Sequence, residues 1–337
     1  MGAKVAEFEQ QFSERLGSDF VMVDSGSNAL YMAVKLLDLP PGSEILLPSF
    51  TWVACAHAII LAGHRVVFAD VDADTQNIDA SQVERAITNA TKAIMAVHYA
   101  GRPVRLDELA SFGLPIIEDA AHAVDSMLNG RRCGTIGTLG TFSFDAIKNL
   151  ATPDGGGLTS RSPELMERMK RMRYWGMGKS GFDSVGSRDR WWRYEICDVL
   201  PKLLPNDVSA SIALAQLAKL TKHQRRRRSI WDTYQAELKD LEWLVRPGDP
   251  ASDEQHSYFT YLIRVLDGRR DVLARSLMAA GIYTTLRYQP LHLYSIYGST
   301  KPLPNSESLA EQGLNLPLHP RLTDNDVGRV IDAIRRF

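Results

Sequence analysis

The sequence has few cysteines, no long apolar run and no excess of charge of either sign. Its three cysteines in 337 residues are widely spaced, which predicts neither a disulfide framework nor a zinc site. No apolar segment approaches the roughly 18 residues that cross a bilayer. The formal net charge of −1 argues against the basic surface that nucleic acid requires. We therefore expect a globular protein that binds neither membranes nor nucleic acid, and no metal.

Two segments need a closer look, one because it is strongly basic and one because it begins the chain, where a signal sequence would lie. The basic run KHQRRRRS, residues 222–229, lies inside a helical pattern, which favours a solvated helix face over a nucleic-acid-binding arm. The first residues, MGAKVAEFEQQFSERL, have the spacing of an amphipathic helix and not the apolar core of a signal sequence. We expect the protein to be cytoplasmic.

Short apolar runs alternate with helical patterns as far as about Leu158, which indicates an α/β fold with a mainly parallel sheet. A long helix from about Ala210 to Leu238 then leads into a compact α+β pattern. We predict a large domain over residues 1–225 and a small C-terminal domain over residues 226–337. The strands predicted for the large domain are FVMVDS, SEILLPS, RVVFADVD, KAIMAVHYA, LPIIEDAA and GTFSFD.

The segment VDSGSNALYMAV places small residues between a predicted strand and a predicted helix. Unpaired N–H groups at a helix N-terminus attract an anion, and the hydroxyls of Ser25 and Ser27 add donors. Serine and asparagine also cap helices where no ligand is present. Both a phosphate site and an ordinary helix cap remain open for this turn.

Two carboxylates, Glu118 and Asp119, stand where the apolar run LPIIED ends. A carboxylate in that position is costly to desolvate unless a cation or a strong donor meets it. An ion pair with a nearby arginine would satisfy the requirement, and so would the protonated nitrogen of a bound ring.

Lys148 follows the apolar run GTFSFD and precedes the turn DGGG. Most lysines in such places are solvated. Together with Asp119 and the SGS turn, however, it supplies an amine, a carboxylate and an anion site at strand ends, where parallel sheets bind ligands. That set suits pyridoxal phosphate, with the lysine forming the Schiff base and the acid keeping the pyridine nitrogen protonated. Trp52 would offer a flat face to the ring, although a core position is equally compatible.

Ordered motifs along nearly the whole chain resemble the DegT/DnrJ/EryC1/StrS family of pyridoxal-phosphate-dependent nucleotide-sugar aminotransferases. The resemblance implies a fold-type I α/β enzyme: a large domain with a mainly parallel mixed sheet flanked by helices, plus a smaller α+β C-terminal domain. The matching motifs are GAKVAEFEQQFSERLG, SGSNAL, ILLPSFTWVACAHAI, VVFADVDADTQNID, TKAIMAVHYAGRP, IIEDAAHAV, GTIGTLGTFSFDAIKN, DGGGLTS, DVSASIALAQL, YQPLH and LPLHPRLTDNDV.

The resemblance implies roles for the residues around the cofactor ring. Lys148 matches the Schiff-base lysine and Asp119 the partner of the pyridine nitrogen. Trp52 matches the aromatic residue that stacks on the ring. His122 matches a residue, commonly glutamine, beside the phenolic oxygen.

The resemblance also implies how the cofactor phosphate is held. Gly26 and Ser27 match the first phosphate-binding turn, and Ser143 matches a further phosphate ligand. Lys202, in PKLLPNDVSASIALAQL, matches a residue that reaches the phosphate of the partner subunit. A homodimer with shared active sites is therefore expected.

The activity implied is transfer of an amino group from L-glutamate to a nucleotide-linked 4-keto-6-deoxysugar, in amino-sugar biosynthesis. Amination at C-4 is preferred over C-3, because FTWVACA and YAGRP look closer to relatives of that type. Two alternatives are a sugar dehydratase, whose relatives replace the lysine by histidine, and a non-enzymatic regulatory protein that binds pyridoxal phosphate.

Two departures from the family pattern bear on substrate recognition. Arg287 stands in RYQPLH where several relatives have histidine. Relatives also usually carry a further segment before GAKVAEFE. We therefore expect a differently shaped substrate pocket, or a truncated start.

Overall fold

The computed structural model describes residues 1–178 and 195–337, and its largest unit is a seven-stranded mixed sheet in the order β1-β9-β8-β5-β4-β2-β3. From β8 to β3 all neighbours are parallel, whereas β9 runs antiparallel to both β8 and β1. The strands are β1 Phe20–Val23, β2 Glu44–Pro48, β3 Arg65–Ala69, β4 Thr91–Val97, β5 Ile116–Asp119, β6 Met127–Leu128, β7 Arg131–Arg132, β8 Leu139–Ser143, β9 Gly156–Thr159, β10 Leu244–Val245, β11 Glu254–Gln255, β12 Tyr261–Val265 and β13 Gly313–Leu316.

Helices cover both faces of this sheet, because alternate residues of each strand point to opposite faces. In β1, Val21 and Val23 pack in a core with α2, α3 and α6. Phe20 and Met22 pack on the other face with α1 and the start of α7. The helices are α1 Ala3–Leu16, α2 Gly26–Leu36, α3 Val53–Leu61, α4 Ala80–Ala86, α5 Leu106–Leu109, α6 Pro163–Met172, α7 Asp207–Glu237, α8 Arg270–Ala279, α9 Pro304–Gln312 and α10 Asp324–Arg335.

The C-terminal part has its own antiparallel sheet, β10-β12-β13, packed against α8, α10 and the second half of α7. Leu217 and Leu220 of α7 belong to the core of the large domain, whereas Ile230 and Tyr234 belong to that of the small one. The large mixed sheet and the smaller α+β unit confirm the predicted fold class. The boundary after residue 225 stays a prediction.

Every strand predicted for the large domain is present, as are the N-terminal helix and the long α7. The pattern missed β9, and it missed that β11, although it follows α7, pairs with β6 of the large domain. Within residues 1–178 and 195–337, no helix combines the length and apolarity needed to cross a membrane.

Candidate active site

The carboxyl-terminal ends of the parallel strands border a cavity of about 880 Å³. Loops that follow β2, β5 and β8 meet the segment before α9 there, so residues far apart in sequence share one space. Of the predicted site residues, all but Lys202 line this cavity: Gly26, Ser27, Trp52, Asp119, His122, Ser143 and Lys148.

Lys148 lies in the connection between β8 and β9, where its N–H donates to the carbonyl of Asp145 at 2.9 Å. The neighbouring Asn149 side chain donates to the carbonyl of Ser257 at 2.8 Å, which ties this connection to the chain after β11. Lys148 is half-buried, with Nζ 5.1 Å from the centroid of the Phe259 ring. Lys148 is therefore not an ordinary solvated loop residue.

The electrostatic surroundings leave a larger share of the Lys148 amine neutral near physiological pH than the usual lysine pKa would. Burial is the main cause that lowers its pKa to about 8. The nearby charge of Arg287 lowers the pKa further, whereas the charge of Asp119 raises it. A neutral amine at this position serves as both nucleophile and base.

Asp119, the last residue of β5, is buried and is held by two donors. The Ala121 N–H donates to Oδ1 at 2.9 Å and the Cys55 thiol donates to Oδ2 at 3.1 Å. Burial and the charge of Asp119 raise the pKa of Cys55 well above its usual value, so the thiol keeps its proton and remains a donor. In the described residues no arginine pairs with Asp119, and the alternative of an arginine ion pair is wrong for them.

The neighbouring Glu118 satisfies its charge in a different way. It accepts from the N–H groups of Gly134, Ile136 and Gly137 at 2.6 to 2.7 Å and lies 2.9 Å from His98. It faces away from the cavity and has no part in the site.

The SGS turn begins α2, with the Ser25 side chain accepting from the N–H of Asn28 at 3.2 Å. Gly26, the first helical residue, lies so close to β8 that a Cβ there would stand 2.6 Å from the Cβ of Ser143. The absent side chain leaves the helix N-terminus and the Ser143 hydroxyl facing one space, a geometry that suits a phosphate.

His122 is buried against an aromatic wall. Its ring stacks on Phe259 with centroids 4.0 Å apart and planes at 12°, and its Nε2 lies 3.3 Å from the Tyr288 hydroxyl. Burial, with the charges of Lys148 and Arg287, lowers its pKa well below the usual value, so the ring is neutral. Its Nδ1 is buried without a partner in the described residues.

Trp52 precedes α3 and is 58% exposed, so the alternative of a core tryptophan is wrong. Its ring lies 5.7 Å from that of Tyr288, on the rim of the cavity. A stacking role on a bound ring stays a prediction.

Lys202 lies apart from this cavity. It is exposed, forms an isolated backbone bridge with Tyr174, and its Nζ lies 5.6 Å from the Trp175 ring centroid. That position neither supports nor contradicts contact with a partner subunit, so its role stays a prediction.

The mixed sheet, with a lysine after β8 and an aspartate ending β5, defines a fold-type I pyridoxal-phosphate enzyme. The profile of the DegT/DnrJ/EryC1/StrS aminotransferase family matches residues 1–335. The chain belongs to this family and is a sugar aminotransferase that depends on pyridoxal phosphate.

Individual relatives agree with that assignment. The chain is 40% identical to the dTDP-4-dehydro-2,3,6-trideoxy-D-glucose 4-aminotransferase of Saccharopolyspora spinosa, over all of this chain and 89% of the relative. The crystal structure of the aminotransferase TlmJ from Streptoalloteichus hindustanus superimposes with a TM-score of 0.93 at 40% identity, over 99% of this chain and 90% of TlmJ. The PLP form of the putative sugar aminotransferase Spr1654 from Streptococcus pneumoniae gives 0.91 at 26% identity, over all of this chain and 91% of Spr1654.

The residues present fit the cofactor. Gly26, Ser27 and Ser143 line one cavity at the N-terminus of α2, where a helix N-terminus and two hydroxyls suit a phosphate. Asp119 has no arginine partner in the described chain, and His122 Nδ1 lacks a partner among the same residues. Lys148, Asp119 and His122 would hold the ring, and Gly26, Ser27 and Ser143 the phosphate.

Sequence reasoning missed three residues of the site: Cys55, Phe259 and Tyr288. Cys55 and Tyr288 lie within motifs of the family, but nothing in the sequence indicated that they face Asp119 and His122. Phe259 carried no signal beyond its place in an apolar run.

The lowered pKa of Lys148 makes a measurable prediction about pH. Because only the neutral amine attacks an aldehyde, cofactor-free protein should link to pyridoxal phosphate at a rate that rises with pH and levels off above about 8, not above 10.5. Arg287→Gln removes a repelling charge and should move this midpoint upward, whereas Asp119→Asn should move it downward. Stopped-flow absorbance measures the rate, and an unchanged midpoint in both variants would contradict the assigned causes.

Proposed function

We propose that this sugar aminotransferase moves an amino group from L-glutamate to C-4 of a nucleotide-linked 4-keto-6-deoxysugar. The observation that carries the proposal is the meeting of the Lys148 amine and the buried, donor-held Asp119 in one cavity. The name of the 40% identical relative, a 4-aminotransferase of a dTDP-linked 4-dehydro sugar, supports the substrate class and the C-4 position. A location in the cytoplasm stays a prediction.

The chain's own residues account for the proton transfers this reaction needs. Lys148 Nζ, with its pKa of about 8, would take the proton from the α-carbon of the amino donor and deliver it to the C4′ carbon of the bound cofactor. Asp119, whose carboxylate accepts from Cys55 and Ala121, would by its negative charge keep a proton on the ring nitrogen of the bound cofactor. When bound, pyridoxal phosphate supplies an electron-poor ring that takes up the negative charge left on the α-carbon.

A substrate screen tests this proposal. Nucleotide-linked 3-keto and 4-keto sugars are incubated with the enzyme and ¹⁵N-labelled L-glutamate, and products are identified by mass spectrometry and NMR. We expect ¹⁵N at C-4 of a 4-keto-6-deoxysugar. Amination at C-3 alone would overturn the proposed C-4 position. If other labelled amino acids are supplied in place of glutamate, transfer from one of them but not from glutamate would overturn the proposed amino donor.

We further propose a homodimer in which each site is completed by the other chain. Beside the phosphate turn, Ser27, Trp52, Leu61 and Pro201 line an adjoining cavity of about 570 Å³. Leu61 is 74% exposed and Trp52 58%, so this surface is apolar as well as open. Because one patch meets its own copy across a twofold axis, a closed dimer is the smallest assembly that covers it.

Mixing two inactive variants tests the shared site. If Lys202 reaches the partner's cofactor phosphate, a dimer of one Lys148→Ala chain and one Lys202→Ala chain has one site with both defects and one with neither. With random mixing of equal amounts and a severe Lys202 defect, activity should return to about a quarter of the parent value. No recovery after confirmed subunit exchange would place Lys202 in its own chain's site or outside any site.

A further inference from the structure

Arg287 lies on the wall that the small domain contributes to the cavity, in the segment between α8 and α9. Its carbonyl accepts from the hydroxyl of the buried Tyr99 at 2.6 Å, and the nearby Thr285 pairs with Asn315 of β13. The backbone of this segment is therefore held on both sides, so the guanidinium projects from a fixed point.

The guanidinium of Arg287 has no acidic partner within the described residues, whereas Arg264 and Arg270 of the small domain pair with carboxylates. Its Cζ lies 5.5 Å from the centroid of the Phe259 ring. A partly buried cation with no counter-charge is costly unless an anion or water meets it. The position calls for an anionic ligand.

Lys148 contacts the same aromatic ring, with Nζ 5.1 Å from its centroid. The two cations are close enough for Arg287 to lower the pKa of Lys148 and that of His122. Both side chains line the same cavity, so a ligand that reacts at Lys148 shares that space with Arg287.

Of the anions the proposed reaction brings in, the α-carboxylate of the amino donor is nearest to the reacting atom. Its carbon is bonded to the carbon that carries the amino group, whereas the diphosphate of the sugar lies across the sugar ring from C-4. A planar guanidinium also binds a carboxylate through two parallel hydrogen bonds.

We propose that Arg287 binds the α-carboxylate of the amino donor and so selects α-amino acids over simple amines. This rests on the proposed function only in naming L-glutamate as the donor. It assigns Arg287 to the first substrate and leaves recognition of the sugar to other residues.

The test compares L-glutamate with 4-aminobutyrate, which differs only in lacking the α-carboxylate. The holoenzyme is mixed with each amine and no sugar, and the change in cofactor absorbance gives the rate constant of the first half-reaction. For Arg287→Gln we expect a loss of about 10- to 100-fold with L-glutamate and less than about threefold with 4-aminobutyrate, as for one charge-assisted hydrogen-bonded pair. Arg287→Lys keeps the positive charge but loses the two parallel hydrogen bonds of the guanidinium, so its rate constant with L-glutamate should lie between those of the parent and Arg287→Gln.

A second readout does not depend on turnover. Binding of glutarate, a dicarboxylate with no amino group, is followed by calorimetry and should weaken about tenfold or more in Arg287→Gln. Arg275→Gln, which removes an exposed charge from α8, serves as the matched control and should change neither readout. Melting temperatures of all variants identify any that fail to fold, and Arg287→Lys then carries the comparison.

Three results would overturn the inference. Equal losses with both amines would mean that Arg287 acts on the site in general. A loss confined to the half-reaction with the nucleotide sugar would assign Arg287 to the diphosphate. Collapse of the preference for L-glutamate over L-2-aminobutyrate, which lacks the distal carboxylate, would assign it to that carboxylate. If the parent does not react with L-glutamate, the proposed donor is wrong, and the amino acid it does use is compared with its decarboxylated amine.

Discussion

Replacing Lys148 by alanine is expected to abolish transamination and the covalent link to the cofactor while leaving the fold intact. The amine is both the group that attaches to the cofactor and the base that moves the proton, and among the described residues no other side chain lining the cavity offers a primary amine. Its side chain forms no hydrogen bond or ion pair with the described residues and contacts the Phe259 ring, so its removal costs the core little.

Visible absorbance, borohydride trapping and amino transfer from L-glutamate measure the loss, and circular dichroism checks the fold. Lys239→Ala removes an exposed lysine just after α7 and should behave as the parent. Turnover of Lys148→Ala at a sizeable fraction of the parent rate would show that another group carries the chemistry.

Replacing Asp119 by asparagine is expected to leave some cofactor bound but to remove most of the activity. A neutral amide has nearly the same shape, yet it cannot hold the ring nitrogen protonated. Loss of one partner of a buried charged pair costs about 3–5 kcal/mol, which corresponds to a rate lower by roughly 100- to 5000-fold.

The steady-state rate and the cofactor absorbance measure this effect. Asp145→Asn removes a carboxylate from the same cavity without affecting the bonds from Cys55 and Ala121, and it should retain most of the rate. A near-normal rate in Asp119→Asn would limit that carboxylate to a structural role.

The sequence alone was sufficient for the parts of the fold that follow apolar periodicity and for the residues that carry the chemistry. Asp119 lies near the carboxyl end of the predicted strand LPIIEDAA and Lys148 follows the predicted strand GTFSFD, and parallel strands bring their carboxyl ends to one edge. The sequence pattern did not predict β9, because GGLT has the composition of a loop and glycine is depleted in strands. The structure requires those glycines: a Cβ on Gly156 would stand 2.4 Å from the N atom of Gly26, and one on Gly157 2.1 Å from the Phe20 ring.

The partners of the site residues could not be predicted, because they depend on contacts between distant segments. Cys55 precedes Asp119 by 64 positions, and Tyr288 follows His122 by 166. Charge rules favoured an arginine beside Asp119, but in the described chain a thiol and an amide N–H take that place. Whether Trp52 lies in the core or at the cavity could be decided only from the exposure of its side chain in the structure.

The 31-residue helix α7 has a consequence for how the protein denatures. At 1.5 Å per residue it is a rod of about 46 Å, and its two ends are built into two different hydrophobic cores. Melting either core exposes helix surface that the other core needs in order to stay ordered. We therefore expect one calorimetric transition for the whole chain and not one for each domain. Cavity-forming substitutions around Tyr234, at the far end of the rod, should then release the cofactor at a lower temperature, although they touch nothing in the active site.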